Sequence, residues 1–416
     1  MPRRPGRWIP PQGLIFGQLA HGASWIALLV LALLGVSEGG FPALGWLHLV
    51  ALGWLTMTAL SVLFHVVPAF TDVVWRWEVL ARGSLVVYAA GVLVLVVAFF
   101  ADARSLLPWG GSLIVLALAG YALPAALTLR VALRNGSLEA GIARGLATTL
   151  TWLLVAAALG FAFSWAFDGR LPRSILSLAP VHADVALIGW LTALVMGVSA
   201  RTVAPIAGAR SRAAWRHVTA VSAEIAGMIV LAAAWTLGVP AVMWIGAAIV
   251  GFGVAIYVAD LASVLRHATV RHRPPQAFLV AGALWLTCAF VLFVAALCGA
   301  PCMPALVFVA LMGWIGQMVN GHLHHIGVRL IATIYRGDDD ETRPGELLSP
   351  ALSWIAFAAF QVALLLGAGG SIEHVSPLVA AGAAAGLAGW TAMAANTGMA
   401  VRRASRPTVI SLLRHT

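Results

Sequence analysis

The sequence predicts an all-α polytopic membrane protein of about twelve transmembrane helices. Three observations carry that class. Of the 416 residues, 61% are hydrophobic and 10% charged. The mean hydropathy is +0.95, more apolar surface than a soluble core can enclose. The apolar runs are long and do not alternate, so they read as helices and not as barrel strands. Finally, all 25 basic side chains are arginine, and only Arg104, Arg170 and Arg173 fall in loops of one side.

In chain order the spans run roughly over 14–36, 42–67, 83–101, 110–130, 146–167, 181–205, 217–238, 241–263, 276–297, 304–328, 350–368 and 376–400. The first lacks a small-residue cleavage site and reads as a retained span. The arginine bias places both termini in the cytoplasm of a bacterial inner membrane. The net charge of +10 is then this bias plus contact with anionic lipid, and nucleic acid is not implied. Between the tenth and eleventh spans lies the polar connector 335–350, whose acidic run Asp338 to Glu341 reads as a solvated face. The final span is almost all small residues, suited to close helix packing. A basic tail, 401–416, reads as lying on the cytoplasmic membrane surface.

Three spans are variations on one helix: HLVALGWLTMTALSVLFHVVPAF from 48, HADVALIGWLTALVMGVSARTVAPI from 182 and VFVALMGWIGQMVNGHLHHIGVRL from 307. They share Gly53-Trp54, Gly189-Trp190 and Gly313-Trp314, and fall on the second, sixth and tenth spans. This predicts three four-helix units of one membrane domain, roughly 14–130, 146–263 and 276–400, around a pseudo-threefold axis. Pro68 and Pro205 stand at similar places after their Trp and are expected to end or kink their spans.

Ionisable groups inside spans are costly and mark candidate sites. His48, His182 and Asp184 precede their Trp and form an outer layer; Asp184 has the register of His48. His65, Arg201, His322, His324 and His325 follow their Trp and form an inner layer, with His21 and Glu224 expected at similar depth. At about 1.5 Å per residue the layers are ~25 Å apart, so one metal cannot join them. Outer imidazoles could bind haem iron or copper, with Asp184 orienting one of them; the plainer reading is a bond from each ring to backbone or water. For the inner layer, His322 and His325 share a helix face while His324 points away, so His322 and His325 with His65 form the second candidate cofactor-binding set. Arginines there can snorkel to the surface. Glu224 could bridge to Arg201 or carry protons.

Cys288 lies within the ninth span, and Cys298 and Cys302 flank the loop CGAPC. A disulfide, two free thiols and a thiolate copper site with Met303 all remain open. No Walker loop, GxGxxG, HExxH or CxxC occurs, so nothing points to hydrolysis or nucleotide binding.

With histidines on the second, sixth and tenth of twelve spans, the chain resembles the catalytic subunit of haem–copper oxidases and nitric oxide reductases. That resemblance implies a haem ligand at His48, a copper ligand at His182 and a haem-binding pair at His322 and His324. The seventh span departs from it: that family carries adjacent copper-binding histidines there, and this chain has only His217 at the edge. In length and in its HxxxLGW helix style the chain is also similar to the NnrS-like bacterial membrane proteins. That similarity implies haem and copper binding and resistance to nitric oxide stress. The resulting expectation is a haem b protein, with copper as a further cofactor, acting in electron transfer or in nitric oxide or oxygen response. It would be a degenerate oxidoreductase working with a redox partner. The alternatives are a transporter or channel for a small solute, proton or metal ion, which requires a continuous polar path between the layers, and an accessory assembly subunit.

Overall fold

The computed structural model describes residues 11–36, 39–71, 73–134, 140–210, 214–270, 273–337 and 344–406. The acidic run from Asp338 to Glu341, the N-terminal arginines and the tail beyond 406 lie outside them. Among the described residues there is no strand, and twelve helices are long and apolar enough to cross a membrane. They are α1 (Gln12–Leu33), α2 (Gly40–Pro68), α3 (Glu78–Phe100), α4 (Arg104–Arg134), α5 (Gly145–Phe167), α6 (Arg173–Ala207), α7 (Trp215–Leu237), α8 (Pro240–Leu265), α9 (Pro274–Leu297), α10 (Met303–Arg336), α11 (Pro350–Ile372) and α12 (Ser376–Ala404). The all-α membrane-spanning class expected from composition is the class observed. We call the end that carries most arginines the basic end and the opposite one the far end.

Sequence punctuation sets the helix limits. Pro68 and Pro205 each stand within one turn of a helix end, at Thr71 and Ala207. Gly208 then turns the chain in the left-handed region, φ 63°, where a side chain is disfavoured.

Three hairpins pack most closely: α3 with α4, α7 with α8, and α11 with α12. Glycines bring their backbones together. A Cβ at Gly110 would lie 2.7 Å from the Leu95 amide nitrogen, one at Gly227 2.9 Å from that of Val250, and one at Gly382 2.8 Å from that of Gly367. In a bilayer, where hydrocarbon surrounds the helices, such close backbone packing replaces the hydrophobic drive of water. Around the hairpins, α1, α5 and α9 lie against α2, α6 and α10, while α12 packs on α1, α4 on α5 and α8 on α9. Packing partners thus recur every four helices.

The centre is made by α2, α6 and α10. Each widens into π-helical turns over its repeated segment: Leu49–Thr56, Val185–Thr192 and Val309–Ile315. A second π-helical stretch covers Leu323–Gly327. Such turns cost backbone geometry and persist where packing over-determines them, often at functional sites. Trp54, Trp190 and Trp314, each 1–2% exposed, fill the core at this level. The Trp190 indole N–H donates to the Thr56 hydroxyl at 3.0 Å, and Trp314 to Thr192 at 3.1 Å.

Candidate functional site

His48 sits on α2 immediately before the π-helical stretch, half-buried, with its ring stacked on Phe99 of α3 at 4.9 Å. Its Nδ1 donates to the Leu44 carbonyl at 2.8 Å. His182 sits on α6, half-buried, its Nδ1 donating to the Ala156 carbonyl of α5 at 3.0 Å and its ring edge-on to Phe163. A Cβ at Gly160 would lie 3.2 Å from the His182 Cε1. The two imidazoles are close enough to interact electrostatically. Phe41 of α2 packs on both Phe99 of α3 and Phe167 of α5, joining the two helices against which these histidines rest. With Nδ1 of each ring committed to a backbone carbonyl, Nε2 is the nitrogen left to face a ligand, and among the described residues it has no protein hydrogen-bond partner.

Asp184 does not orient either histidine. Its Oδ2 accepts from the Trp235 indole of α7 at 3.0 Å. The contact parallels that of His48 with Phe99, each pair standing 51 residues apart in sequence. The shared register of His48 and Asp184 therefore leads to two separate packing sites.

On the basic side of the tryptophans the histidines have protein partners. His322 Nδ1 donates to the Met318 carbonyl at 2.7 Å, and its Nε2 lies 2.7 Å from the Thr202 hydroxyl of α6. Both nitrogens are satisfied within the protein. His325, half-buried, interacts electrostatically with His322, in keeping with their expected common face. His324 is 4% exposed, its ring tilted 30° against Phe278 of α9 at 5.0 Å, with Nδ1 on the Asn320 carbonyl at 2.8 Å. His65 is half-buried on α2, and Arg201 is exposed. By helical rise His324 stands ~24 Å from the level of His48, across the tryptophan layer, so it does not join His48 and His182 in one site. Among the described residues no three His, Cys, Asp or Glu side chains gather as a metal-binding group.

His21 departs from the depth expected for it. It lies flat on Trp54, ring centroids 3.5 Å apart and planes within 4°, so it belongs to the tryptophan level. Trp25 donates to its Nε2 at 3.0 Å, and Phe360 stacks on its other side at 5.6 Å. Glu224 is 1% exposed and packs on Gly253 of α8, where a Cβ would lie 2.9 Å from Oε1; that oxygen accepts no hydrogen bond. Of the two roles read for Glu224 from the sequence, the bridge to the exposed Arg201 is not formed. The three cysteines are free, and the Cys302 thiol donates to the Leu292 carbonyl at 3.3 Å.

Sequence reading missed the chain Trp285 to Gln361 to Gln317, linked at 2.9 and 2.8 Å across α9, α11 and α10. A cavity of about 530 Å³ at the far end between α1, α2, α10, α11 and α12 is lined by apolar side chains with Met303 and Ser371 but no histidine. It offers no imidazole to a metal.

No protein-family model matches this chain, and no curated protein matches it.

Proposed function

We propose that this chain is a haem-binding membrane protein related to the haem–copper oxidases, with His48 and His182 as the axial pair. One observation carries the reading. Two imidazoles from different helices, near enough to interact electrostatically, are each held at Nδ1 by a backbone carbonyl and each have Nε2 uncommitted. A carbonyl on Nδ1 fixes the tautomer and raises the basicity of Nε2, the arrangement that metal-bound histidines require. Haem b fits a two-imidazole site because the porphyrin supplies the other four nitrogens. Copper would need further side chains, but Asp184 is engaged by Trp235 and the inner histidines stand ~24 Å away by helical rise.

In this reading the basic end faces the cytoplasm of a bacterial inner membrane, following the arginine bias. The recurrence of packing partners every four helices supports three related units. Bound haem would supply one-electron chemistry, suited to electron transfer with a redox partner or to nitric oxide or oxygen response. Transport along the central axis is disfavoured, because Trp54, Trp190 and Trp314 fill it where a polar path would have to pass.

The test is an absorption spectrum of protein purified from haem-replete cells. A Soret band is expected, weakened in His48→Ala and in His182→Ala and retained in His322→Ala. A colourless wild-type preparation would falsify the proposal.

A further inference from the structure

The basic ends of α6, α7 and α8 enclose a second polar cluster that the haem reading does not use. His217 of α7 and Asp260 of α8 form a close pair, Nδ1 to Oδ2 2.8 Å. Their side chains are 15% and 4% exposed. Arg216 approaches the other carboxylate oxygen at 3.8 Å. One turn deeper, Tyr257 is 1% exposed and donates its hydroxyl to Ser199 of α6 at 3.0 Å. Ser199 and Thr202 stand one turn apart on α6, and Thr202 touches His322 at 2.7 Å.

A cavity of about 10 Å³ lies among Ser199, His217, Tyr257 and Asp260. That is about the least space that admits one water molecule, and a buried water needs two to four polar partners. The lining supplies four, while Ala200, Val203 and Leu261 shut out a larger guest.

We propose that this cavity holds one buried water and forms a proton-exchange site open to the basic end. The water joins the His217–Asp260 pair to the Tyr257 and Ser199 hydroxyls. At each step one O–H or N–H bond forms as another breaks, so a proton moves with no other reactant. The titratable groups facing the water are His217 from α7 and Asp260 and Tyr257 from α8, with Arg216 beside Asp260 at 3.8 Å; α6 contributes the Ser199 hydroxyl. Glu224 lies two turns further along α7, ~10 Å away by helical rise. The inference is independent of haem binding.

Radiolytic hydroxyl labelling of the full-length protein tests the water. Labelling of a buried residue requires water beside it. Tyr88, Tyr121 and Tyr257 are equally buried, at 1% exposed, and Tyr88 and Tyr121 donate to the Leu52 and Leu60 carbonyls. Tyr257 is expected to label several-fold faster than those two, and Ser199→Ala, which removes one water partner without filling the cavity, should slow it. Equal protection of all three tyrosines overturns the water. Infrared difference spectra between acid and neutral pH test the proton. A carboxyl band present in wild type and lost in Asp260→Asn supports exchange. A band unchanged in Asp260→Asn, or none in wild type, overturns it. Should Asp260→Asn not fold, His217→Gln replaces it, with loss or shift of the same band expected and an unchanged band again overturning exchange.

Discussion

Trp190 and Thr56 join α6 to α2 by an indole-to-hydroxyl hydrogen bond of 3.0 Å, and Trp314 makes the same bond to Thr192 of α6. In both, the acceptor stands two residues after the neighbouring helix's own Trp. The third bond of that cycle cannot form, because Gly316 occupies the matching place after Trp314. The Trp54 ring lies against that glycine, its Cη2 2.9 Å from where a Cβ would stand. His21 covers the face of Trp54 instead. The core is thus tied by two polar contacts and one stacked contact.

Thr56→Val and Thr192→Val each leave a buried indole N–H without an acceptor at nearly constant volume. Each is expected to destabilise the protein by about 1–3 kcal/mol. Thr→Ser at either position keeps the acceptor and should restore most of the loss. Thermal unfolding in detergent reads both. Melting temperatures that do not differ between the Val and Ser variants would show that these bonds carry no stability.

The hairpins predict a contrast between glycines. Gly382→Ala drives a methyl into the Gly367 backbone, which has no flexible side chain to yield. Overpacking of this kind costs about 1–3 kcal/mol. Gly83→Ala, with nothing within 4 Å of the new Cβ, should be neutral or slightly stabilising because alanine suits a helix better. The comparison is made on expression level and melting temperature. Equal effects at both sites would contradict close α11–α12 packing.

The number and kind of spans are legible in the sequence because hydropathy sums over about 20 residues and tolerates local error. The span expected at 83–101 runs Glu78–Phe100, and the one expected at 304–328 runs Met303–Arg336. The π-helical turns are not legible in that way: they depend on a one-residue shift of backbone hydrogen bonds, which composition does not report. Their only trace is the Gly-Trp segment itself, repeated at one register. Depth counting places His48 and His182 together but misplaces His21, because each helix has its own axial offset. Partners are legible least. That Asp184 bonds Trp235 and His182 bonds the Ala156 carbonyl depends on which helix lies alongside, and one sequence does not contain that information.

Gly160 offers a test of the His182 position that leaves the imidazole in place. A methyl there would meet Cε1 at 3.2 Å, closer than comfortable contact, and the ring must give by a few tenths of an ångström. If His182 is an axial ligand, Gly160→Ala shifts the Soret maximum or the midpoint potential without abolishing the band, since ligand orientation tunes the metal. Gly145→Ala, further along α5 with nothing within 4 Å of its Cβ, is the control. Identical spectra for both variants would remove His182 from the iron.

Asn396 is the one amide in the small-residue helix α12, and its three bonds organise the start of α11. Its Oδ1 accepts the Ser349 N–H at 2.7 Å, while Nδ2 donates to the Ser349 carbonyl at 3.1 Å and to the Ser353 hydroxyl at 2.9 Å. The first N–H groups of a helix have no partner within it, so an outside acceptor at this point closes the α11 end. Asn396→Leu removes acceptor and donors at similar size and leaves buried backbone groups unmatched, at a cost of about 1–3 kcal/mol. Since 1.4 kcal/mol is tenfold, local opening should rise by about 5- to 150-fold. Hydrogen exchange at the amides of 349–353 measures it directly. Asn396→Asp keeps the acceptor and loses both donors, so its exchange rates should fall between wild type and Asn396→Leu. Unchanged exchange in both variants would mean that packing of α11 on α12, and not this amide, holds the helix start.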